Sequence, residues 1–260
     1  MIKSQAHFRL RRQLAIAAAF ILMIGATASP VFASFITFEA AGANAAAITP
    51  TRDAFRSAIG GGTVAGANGS FGGLRREINW DGVPATVTNT NDFPGDFFNT
   101  RSTRGIVMTT PGVGFRASDN NVSDVDASFA QEFAPFSPLK TFLPAGSTVT
   151  DVDFRVPGSN EPAAVRGFGV VFSDVDRPNS ATVEYFGAAG SLGRFEAPVR
   201  GAGSSLSFLG VTFDSKIVTR VRITSGRAPI ATGVRDITNG GTADLVIMDD
   251  FLYDEPQPAR

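Results

Sequence analysis

GFGVVFSDVD, residues 167–176, is an apolar stretch that ends in two aspartates, and ATVEYF, residues 181–186, follows it after Arg, Pro, Asn and Ser. Short apolar stretches separated by such turn-forming residues are typical of antiparallel sandwiches and barrels. The sequence therefore predicts an all-β fold, an antiparallel jelly-roll-like β-sandwich. Further strands are predicted at residues 35–39, 149–154, 218–223 and 245–253.

Helical periodicity occurs in one stretch, residues 51–59. Thr49 and Pro50 precede this stretch, and Gly60 begins a run of three glycines after it. A Thr cap, an early Pro and a Gly stop are typical helix boundaries. We therefore predict one short helix near the start of the sandwich.

The first 33 residues have the order of a secretory signal peptide. A basic start containing Arg11 and Arg12 precedes an apolar run at residues 14–24, and small residues end at Ala33. An apolar run of this length is too short to span a bilayer. We predict a signal peptide at residues 1–33 and a single β-sandwich domain at residues 34–260. The protein is expected to be secreted, extracellular or periplasmic, with no membrane span after signal removal.

Composition limits the chemistry of the secreted domain. Removing residues 1–33 from the 260-residue chain leaves 227 residues without Cys or His, because the only histidine is His7. The signal segment holds four of the 23 basic residues and none of the 24 acidic residues, so the domain has a net charge of −5. A nucleic-acid partner requires a basic surface, so none is expected. Nucleophilic catalysis lacks a histidine base and a Gly-x-Ser-x-Gly motif, so we predict no enzyme.

The second half of the chain resembles a group of uncharacterised exported bacterial proteins that often carry a PEP-CTERM sorting tail. The resemblance implies a secreted β-sandwich and no established activity. The chain ends at Arg260 without such a tail, so free secretion or periplasmic residence is expected. The similar segments are GFGVVFSDVD (167–176), ATVEYFGAAGSLGRFEAP (181–198), LSFLGVTFDSKIVTRVRITSG (206–226) and DLVIMDDFLYDEPQ (244–257), with GLRREINWDGVP (73–84), FFNTRSTRG (97–105) and TTPGVGF (109–115) before them.

The two ends of the domain are similar to jelly-roll carbohydrate-binding modules, in which adjacent terminal strands can hold a structural calcium. The first strand contains Glu39, and the last contains Asp249 and Asp250. Calcium takes six to eight oxygen ligands, and an inward carboxylate in an apolar strand needs a charged partner or a metal. We therefore predict that Glu39 meets Asp249 or Asp250 at a Ca²⁺ site. Two solvated aspartates at a strand end are the alternative.

Two other acidic groups lie at residues 173–176 (SDVD) and 119–126 (DNNVSDVD). Neither has the glycine and closing glutamate of a helix-loop-helix calcium loop. Asp and Asn side chains commonly bond their own backbone in turns. We predict turns at both places, with a metal role as the less favoured interpretation.

Glu77 and Asp81 lie four residues apart, in a pattern similar to the Glu-x-Asp-x-Glu strand of sandwich-fold glucanases. A retaining glycosidase needs carboxyl groups about 5–5.5 Å apart, whereas Cα atoms at this spacing lie about 13 Å apart along a strand. Asp81-Gly82 is also typical of a turn that ends a strand. We favour the turn and keep a glycoside hydrolase as an alternative.

Sugar binding commonly uses exposed aromatic faces, which makes Trp80, Tyr185 and Phe97 the candidate ligand-binding residues. The Phe97-Phe98 pair can present one ring to a ligand, although inward packing of both is favoured. We predict a non-catalytic secreted protein with a structural or ligand-binding role, stabilised by calcium. A carbohydrate-binding module is the main alternative. Extracellular polysaccharide or cell-surface components are the expected partners.

Overall fold

The predicted all-β class is confirmed in the computed structural model, which describes residues 33–61, 74–201 and 203–259. The predicted signal peptide lies outside these residues, apart from Ala33. The strands are β1 (Phe35–Gly42), β2 (Arg75–Ile78), β3 (Ile106–Thr109), β4 (Gly114–Ser118), β5 (Thr141–Ala145), β6 (Val149–Phe154), β7 (Ala163–Ala164), β8 (Gly167–Ser173), β9 (Ala181–Gly187), β10 (Gly190–Glu196), β11 (Leu206–Phe213), β12 (Arg220–Ser225), β13 (Ile247–Asp254) and β14 (Gln257–Pro258). The helices are α1 (Ala45–Ala58) and α2 (Phe97–Thr100), with 3-10 turns at Ala85–Val87, Ala127–Gln131 and Ile237–Asn239.

Two antiparallel sheets pack face to face. The larger sheet has the order β1-β11-β8-β13-β5-β4, with β2 also paired to β13. The smaller sheet has the order β10-β9-β12-β6-β3. Successive strands cross repeatedly from one sheet to the other, as in jelly rolls.

The core between the sheets is aromatic and apolar. The Phe154 ring of the smaller sheet meets Phe168 and Tyr253 of the larger sheet, with ring centroids 6.2 Å and 5.5 Å apart. The Tyr185 hydroxyl donates a hydrogen bond of 2.7 Å to the Phe168 carbonyl oxygen across the same interface. In β6, alternate residues are buried, because one face of the smaller sheet meets this core.

The larger sheet is buried on both faces at its centre, because helix α1 covers its outer side. Every residue of β8, β11 and β13 is buried. Ile48 and Phe55 of α1 pack against Phe208 of β11. A Cβ atom on Gly210 would lie 2.6 Å from Phe55, so glycine is required where the helix meets the sheet.

The helix is longer than the predicted one and begins earlier. Asn44, not Thr49, is the N-cap, and its side chain accepts a hydrogen bond from the Ala47 N–H. Pro50 therefore lies inside α1 rather than at its first turn. The sequence prediction was wrong here because Thr49-Pro50 matches a helix start, whereas Asn44 provides the N-cap one turn earlier. Among the described residues, no helix is long and apolar enough to cross a membrane.

Candidate metal centre

The predicted terminal-strand calcium site is not assembled. Strands β11 and β8 separate β1 from β13, so the expected side-by-side arrangement of the first and last strands is wrong. Glu39 is exposed on β1, opposite Leu209 of β11. The structure therefore does not bring Glu39 to Asp249 or Asp250.

Asp249 and Asp250 are both buried, because the larger sheet is covered on both faces and β13 is irregular between Met248 and Phe251. Asp249 Oδ2 accepts a 2.6 Å hydrogen bond from the Phe136 N–H. The Ser137 hydroxyl lies 2.9 Å from Asp250 Oδ1 and 3.2 Å from Asp249 Oδ1. The Arg52 guanidinium lies 3.9 Å from Asp250 Oδ2. We call these two residues the β13 aspartate pair, and the protein itself provides their partners.

Burial raises the pKa of both members of the β13 aspartate pair, and the charge of Asp250 raises that of Asp249 further. A shared proton between the two carboxyl groups is the ordinary consequence of such an arrangement. Hydrogen-bond donors of the protein and the Arg52 guanidinium therefore compensate the pair, and no metal ion is required.

The three candidate ligand-binding aromatic residues are buried, so the prediction of an exposed aromatic platform is wrong. Trp80 stacks on Phe142 with ring centroids 3.8 Å apart, and Tyr185 lies in the core between the sheets. Phe97 packs inward with Phe98, as favoured from the sequence. Burial of these rings removes a large apolar area from water, and the Trp80 N–H and Tyr185 O–H donate to the Asp249 and Phe168 carbonyl oxygens.

A cavity of about 280 Å³ lies beside two of these aromatic residues, Trp80 and Phe97. Its polar lining includes Asn79, Ser102 and Arg104. The volume is close to the lower limit of about 300 Å³ for small-molecule pockets. Tyr185 does not line this cavity.

Glu77 and Asp81 make separate structural contacts. Arg56 donates to both Glu77 carboxylate oxygens, at 2.5 Å and 2.7 Å. Asp81 lies in the turn predicted to end the strand, and Oδ1 accepts hydrogen bonds from the Leu139 and Lys140 N–H groups. The observed turn agrees with the interpretation favoured over a catalytic pair.

A different set of carboxylates comes together at one end of the larger sheet. Its members come from three separate regions of the sequence, and we call them the acidic cluster: Glu132, Asp174, Asp176, Asp236 and Asp244. One carboxylate oxygen from each of Glu132, Asp174 and Asp236 lies within 4.8 Å of the other two. The same is true of Asp176, Asp236 and Asp244.

The fold brings these residues together where β8 ends and β13 begins. Ser173 pairs with Ile247, which places Asp174 and Asp176 beside the chain that contains Asp244. Asp236 is the N-cap of the last 3-10 turn and bridges to Ala243. Glu132 follows the 3-10 turn Ala127–Gln131, and its carboxylate accepts hydrogen bonds from the Thr238 hydroxyl and from the Asn239 amide.

Several oxygens of the acidic cluster are buried without a donor. Asp174 is fully buried, and neither of its carboxylate oxygens has a hydrogen-bond partner. The two carboxylate oxygens of Asp176 also lack partners. Among the ion pairs of the described residues, none involves a member of the cluster. A buried charge of this kind is costly unless a cation or a proton compensates it.

Burial and neighbouring carboxylates raise the pKa of Asp174 to about 9 and that of Asp176 to about 7. Burial also raises the pKa of Asp244, although its Oδ2 accepts hydrogen bonds from the backbone N–H groups of Asp176 and Arg177. The cluster is therefore built of groups whose charge the surrounding protein disfavours. A bound cation would reverse this preference.

The backbone at Asp174 is left-handed, with φ of 72°, which is uncommon for a residue other than glycine. This conformation directs the chain out of β8 and into the cluster. The prediction that an aspartate side chain bonds its own backbone at residues 173–176 is wrong, because the Asp174 carboxylate accepts no backbone hydrogen bond. The turn predicted at residues 119–126 is confirmed at Asp126, which accepts a 2.9 Å hydrogen bond from the Ser128 N–H.

Glu132, Asp174 and Asp236 could hold a metal ion, since one oxygen from each lies within the distance that a central ion permits, and the same is true of Asp176, Asp236 and Asp244. Sequence reasoning identified Asp174 and Asp176 as acidic residues but favoured a turn. Glu132, Asp236 and Asp244 carried no signal, because no spacing motif joins residues so far apart in sequence.

Comparison with models of known families, with curated proteins and with solved structures gives no significant match.

Proposed function

We propose that this chain is an exported, non-catalytic β-sandwich protein whose fold is stabilised by Ca²⁺ at the acidic cluster. The observation that supports the proposal is Asp174, a fully buried carboxylate that has no hydrogen-bond donor and lies beside the carboxylates of Glu132 and Asp236. An ion at this position would join the end of β8 to the loop before β13. A chain without cysteine has no disulfide that could supply such a link.

The ligand chemistry favours calcium over other divalent ions. All five side chains offer oxygen and none offers nitrogen or sulfur, which disfavours zinc and copper. Calcium accepts flexible coordination at about 2.3–2.6 Å, so oxygens up to about 5 Å apart can share one ion. Magnesium requires a near-ideal octahedron and retains several waters, which a buried, crowded cluster does not favour.

Thermal unfolding of the purified protein in EDTA and in millimolar calcium tests the proposal. An ion that binds only the folded state raises stability by about 2.7 kcal/mol at a concentration of 100 times its Kd. For a domain of this size, this corresponds to a rise in melting temperature of roughly 5–10 °C. Magnesium at the same concentration should give a smaller rise.

Equal melting temperatures in EDTA and calcium would show that calcium does not stabilise the fold. The acidic cluster would then be neutralised by protons shared between carboxyl groups. Asp119→Asn is the matched control, because Asp119 is an exposed carboxylate outside the cluster. Its calcium response should equal that of the unaltered chain.

Export is a separate part of the proposal and rests on the N-terminal sequence. Expression of the full chain in a bacterial host with a Sec pathway should yield protein in the periplasm or medium, with Ser34 as its first residue. Intact mass spectrometry reads this directly. Protein that is found only in the cytoplasm with residues 1–33 attached would contradict it.

A polysaccharide ligand is the second candidate, supported by the cavity beside Trp80 and Phe97. The cavity combines aromatic rings with polar groups, a lining common in sites for small polar ligands. A glycan array at high micromolar protein concentration should identify a bound sugar, and Trp80→Ala should abolish the signal. Because Trp80 is a core residue, Asn79→Ala is the milder test, and an array without any binding would exclude this candidate.

A further inference from the structure

We infer that the acidic cluster binds two cations that share Asp236 as a common ligand. The inference rests on the proposed calcium site and specifies how many ions that site holds. Its basis is that the five side chains divide into two sets of three, and Asp236 belongs to both. We call the set Glu132, Asp174 and Asp236 the first triad, and the set Asp176, Asp236 and Asp244 the second triad.

The geometry favours two centres over one. Within each triad, one oxygen from each residue lies within 4.8 Å of the others, but the five residues do not form a single such group. Ligands of one calcium ion at about 2.4 Å lie at most about 4.8 Å apart. One ion therefore satisfies one triad and leaves members of the other without a cation. A second ion, bound in the second triad, provides the cation that those members lack.

Asp236 is held in a position suited to joining two centres. Its Oδ1 accepts a 2.7 Å hydrogen bond from the Thr238 N–H, and its Oδ2 accepts one of 2.7 Å from the Leu245 N–H. These bonds fix both oxygens of a residue with 1% exposure, so the carboxylate cannot rotate toward only one triad. Oδ2 keeps a further lone pair that can bind an ion. The Thr238 hydroxyl lies 2.9 Å from Oδ1 and 3.1 Å from Glu132 Oε1, and its single proton serves one of these oxygens at a time.

Unpartnered oxygens occur in both triads. Asp174 in the first triad is fully buried and accepts no hydrogen bond at either oxygen. In the second triad, both Asp176 oxygens lack partners, although this residue is only half-buried. A single ion in the first triad would leave the Asp176 carboxylate uncompensated. The second triad therefore has its own need for a cation.

The charge of the acidic cluster also favours two ions over one. Metal ligands must be deprotonated, and in that form the five carboxylates carry a charge of −5. None of them pairs with Lys or Arg in the described part of the chain. One divalent ion leaves −3 at a largely buried site, and two leave −1. Neighbouring two-ion sites bridged by one carboxylate are an established arrangement in proteins, with ions about 3.5–4 Å apart.

Equilibrium dialysis of the metal-free chain against radioactive calcium at neutral pH counts the ions directly. The unaltered chain should bind two calcium ions at saturation. Glu132→Gln removes a ligand of the first triad alone, and Asp244→Asn removes one of the second triad alone, so each variant should bind one ion. Asp236→Asn should bind none or bind at least 100-fold more weakly. Asp119→Asn is the control and should bind two.

The number of ions that the unaltered chain binds distinguishes the two-ion arrangement from the calcium site of the proposed function. One ion per unaltered chain would overturn the shared two-ion arrangement and leave the calcium site of the proposed function intact. No bound ion would overturn both. The count for the unaltered chain decides even if a variant fails to fold, and circular dichroism of each variant shows whether its loss of an ion reflects loss of the fold.

Discussion

The β13 aspartate pair and the acidic cluster are both buried groups of carboxylates, yet the protein treats them differently. The pair receives the Phe136 N–H, the Ser137 hydroxyl and the nearby Arg52 guanidinium. The cluster includes Asp174, which receives no donor at all. Asp174, like both members of the pair, is buried, so burial alone does not distinguish the two groups.

We infer that the supply of hydrogen-bond donors distinguishes the two groups, and that the group containing a carboxylate without donors is the one open to a cation. A buried carboxylate whose oxygens already accept protein hydrogen bonds gains less from an ion than a carboxylate without any donor. Oxygens without donors gain the full compensation that a cation provides. The predicted calcium ligands Asp249 and Asp250 are of the first kind, and Asp174 is of the second.

The largest expected effect is at the β13 aspartate pair. Asp249→Ala leaves the buried Phe136 N–H without an acceptor and Asp250 without its neighbour, which should cost about 3 kcal/mol of unfolding free energy. The loss should be the same in EDTA and in calcium, because the pair binds no ion. Chemical denaturation in both conditions measures it, and a loss confined to calcium would show that the pair is a metal site after all.

Asp174→Asn should destabilise the protein in calcium and stabilise it in EDTA. In calcium the variant loses the stabilisation of about 2.7 kcal/mol expected at 100 times the Kd. In EDTA it should be more stable than the unaltered chain, because a buried carboxylate without donors has been removed. Thermal unfolding measures both, and Asp249→Asn is the matched control, for which the difference between calcium and EDTA should persist.

The stability of the metal-free protein should fall as pH rises from 6 to 9. The folded-state pKa values of Asp174 and Asp176 are about 9 and about 7, above the ordinary value of 3.8, because burial disfavours their charge. The folded state therefore holds more protons than the unfolded state in this range, and stability decreases with pH by at most about 1.4 kcal/mol per unit for each group. Urea unfolding in EDTA at each pH measures the slope, and a slope of opposite sign would contradict these pKa directions.

The smallest effect is expected at a surface ion pair, which sets the baseline for both buried groups. Asp151 on β6 accepts hydrogen bonds from Arg220 and Arg222, at 2.6 Å and 2.8 Å for the shortest contacts. Asp151→Asn should cost less than about 1 kcal/mol and be insensitive to calcium, because exposed ion pairs contribute little. A calcium-dependent loss there would mean that calcium acts on the protein generally rather than at the cluster.

The fold was largely predictable because its signal is local. Residues 149–154 alternate apolar and polar side chains, and β6 occupies the same residues. Residues 167–172 form an apolar run, and β8 ends one residue later. The start of α1 was not predictable from Thr49-Pro50, because the residues before them continue the helix from the Asn44 cap.

The site was not predictable because its determinants are not local. The prediction that Glu39 meets Asp249 assumed adjacent terminal strands, whereas β11 and β8 lie between them. Glu132 and Asp236 join Asp174 through strand pairing and loop packing, which a short sequence window does not encode. Whether a buried carboxylate has a donor depends on the same long-range contacts.

A crystal structure of the protein grown in millimolar calcium would show directly which of the two carboxylate groups binds an ion. We expect electron density for an ion about 2.3–2.6 Å from a carboxylate oxygen of Asp174, and no ion at the β13 aspartate pair. An ordered acidic cluster without an ion, in which Asp174 shares a proton with a neighbouring carboxylate, would contradict it.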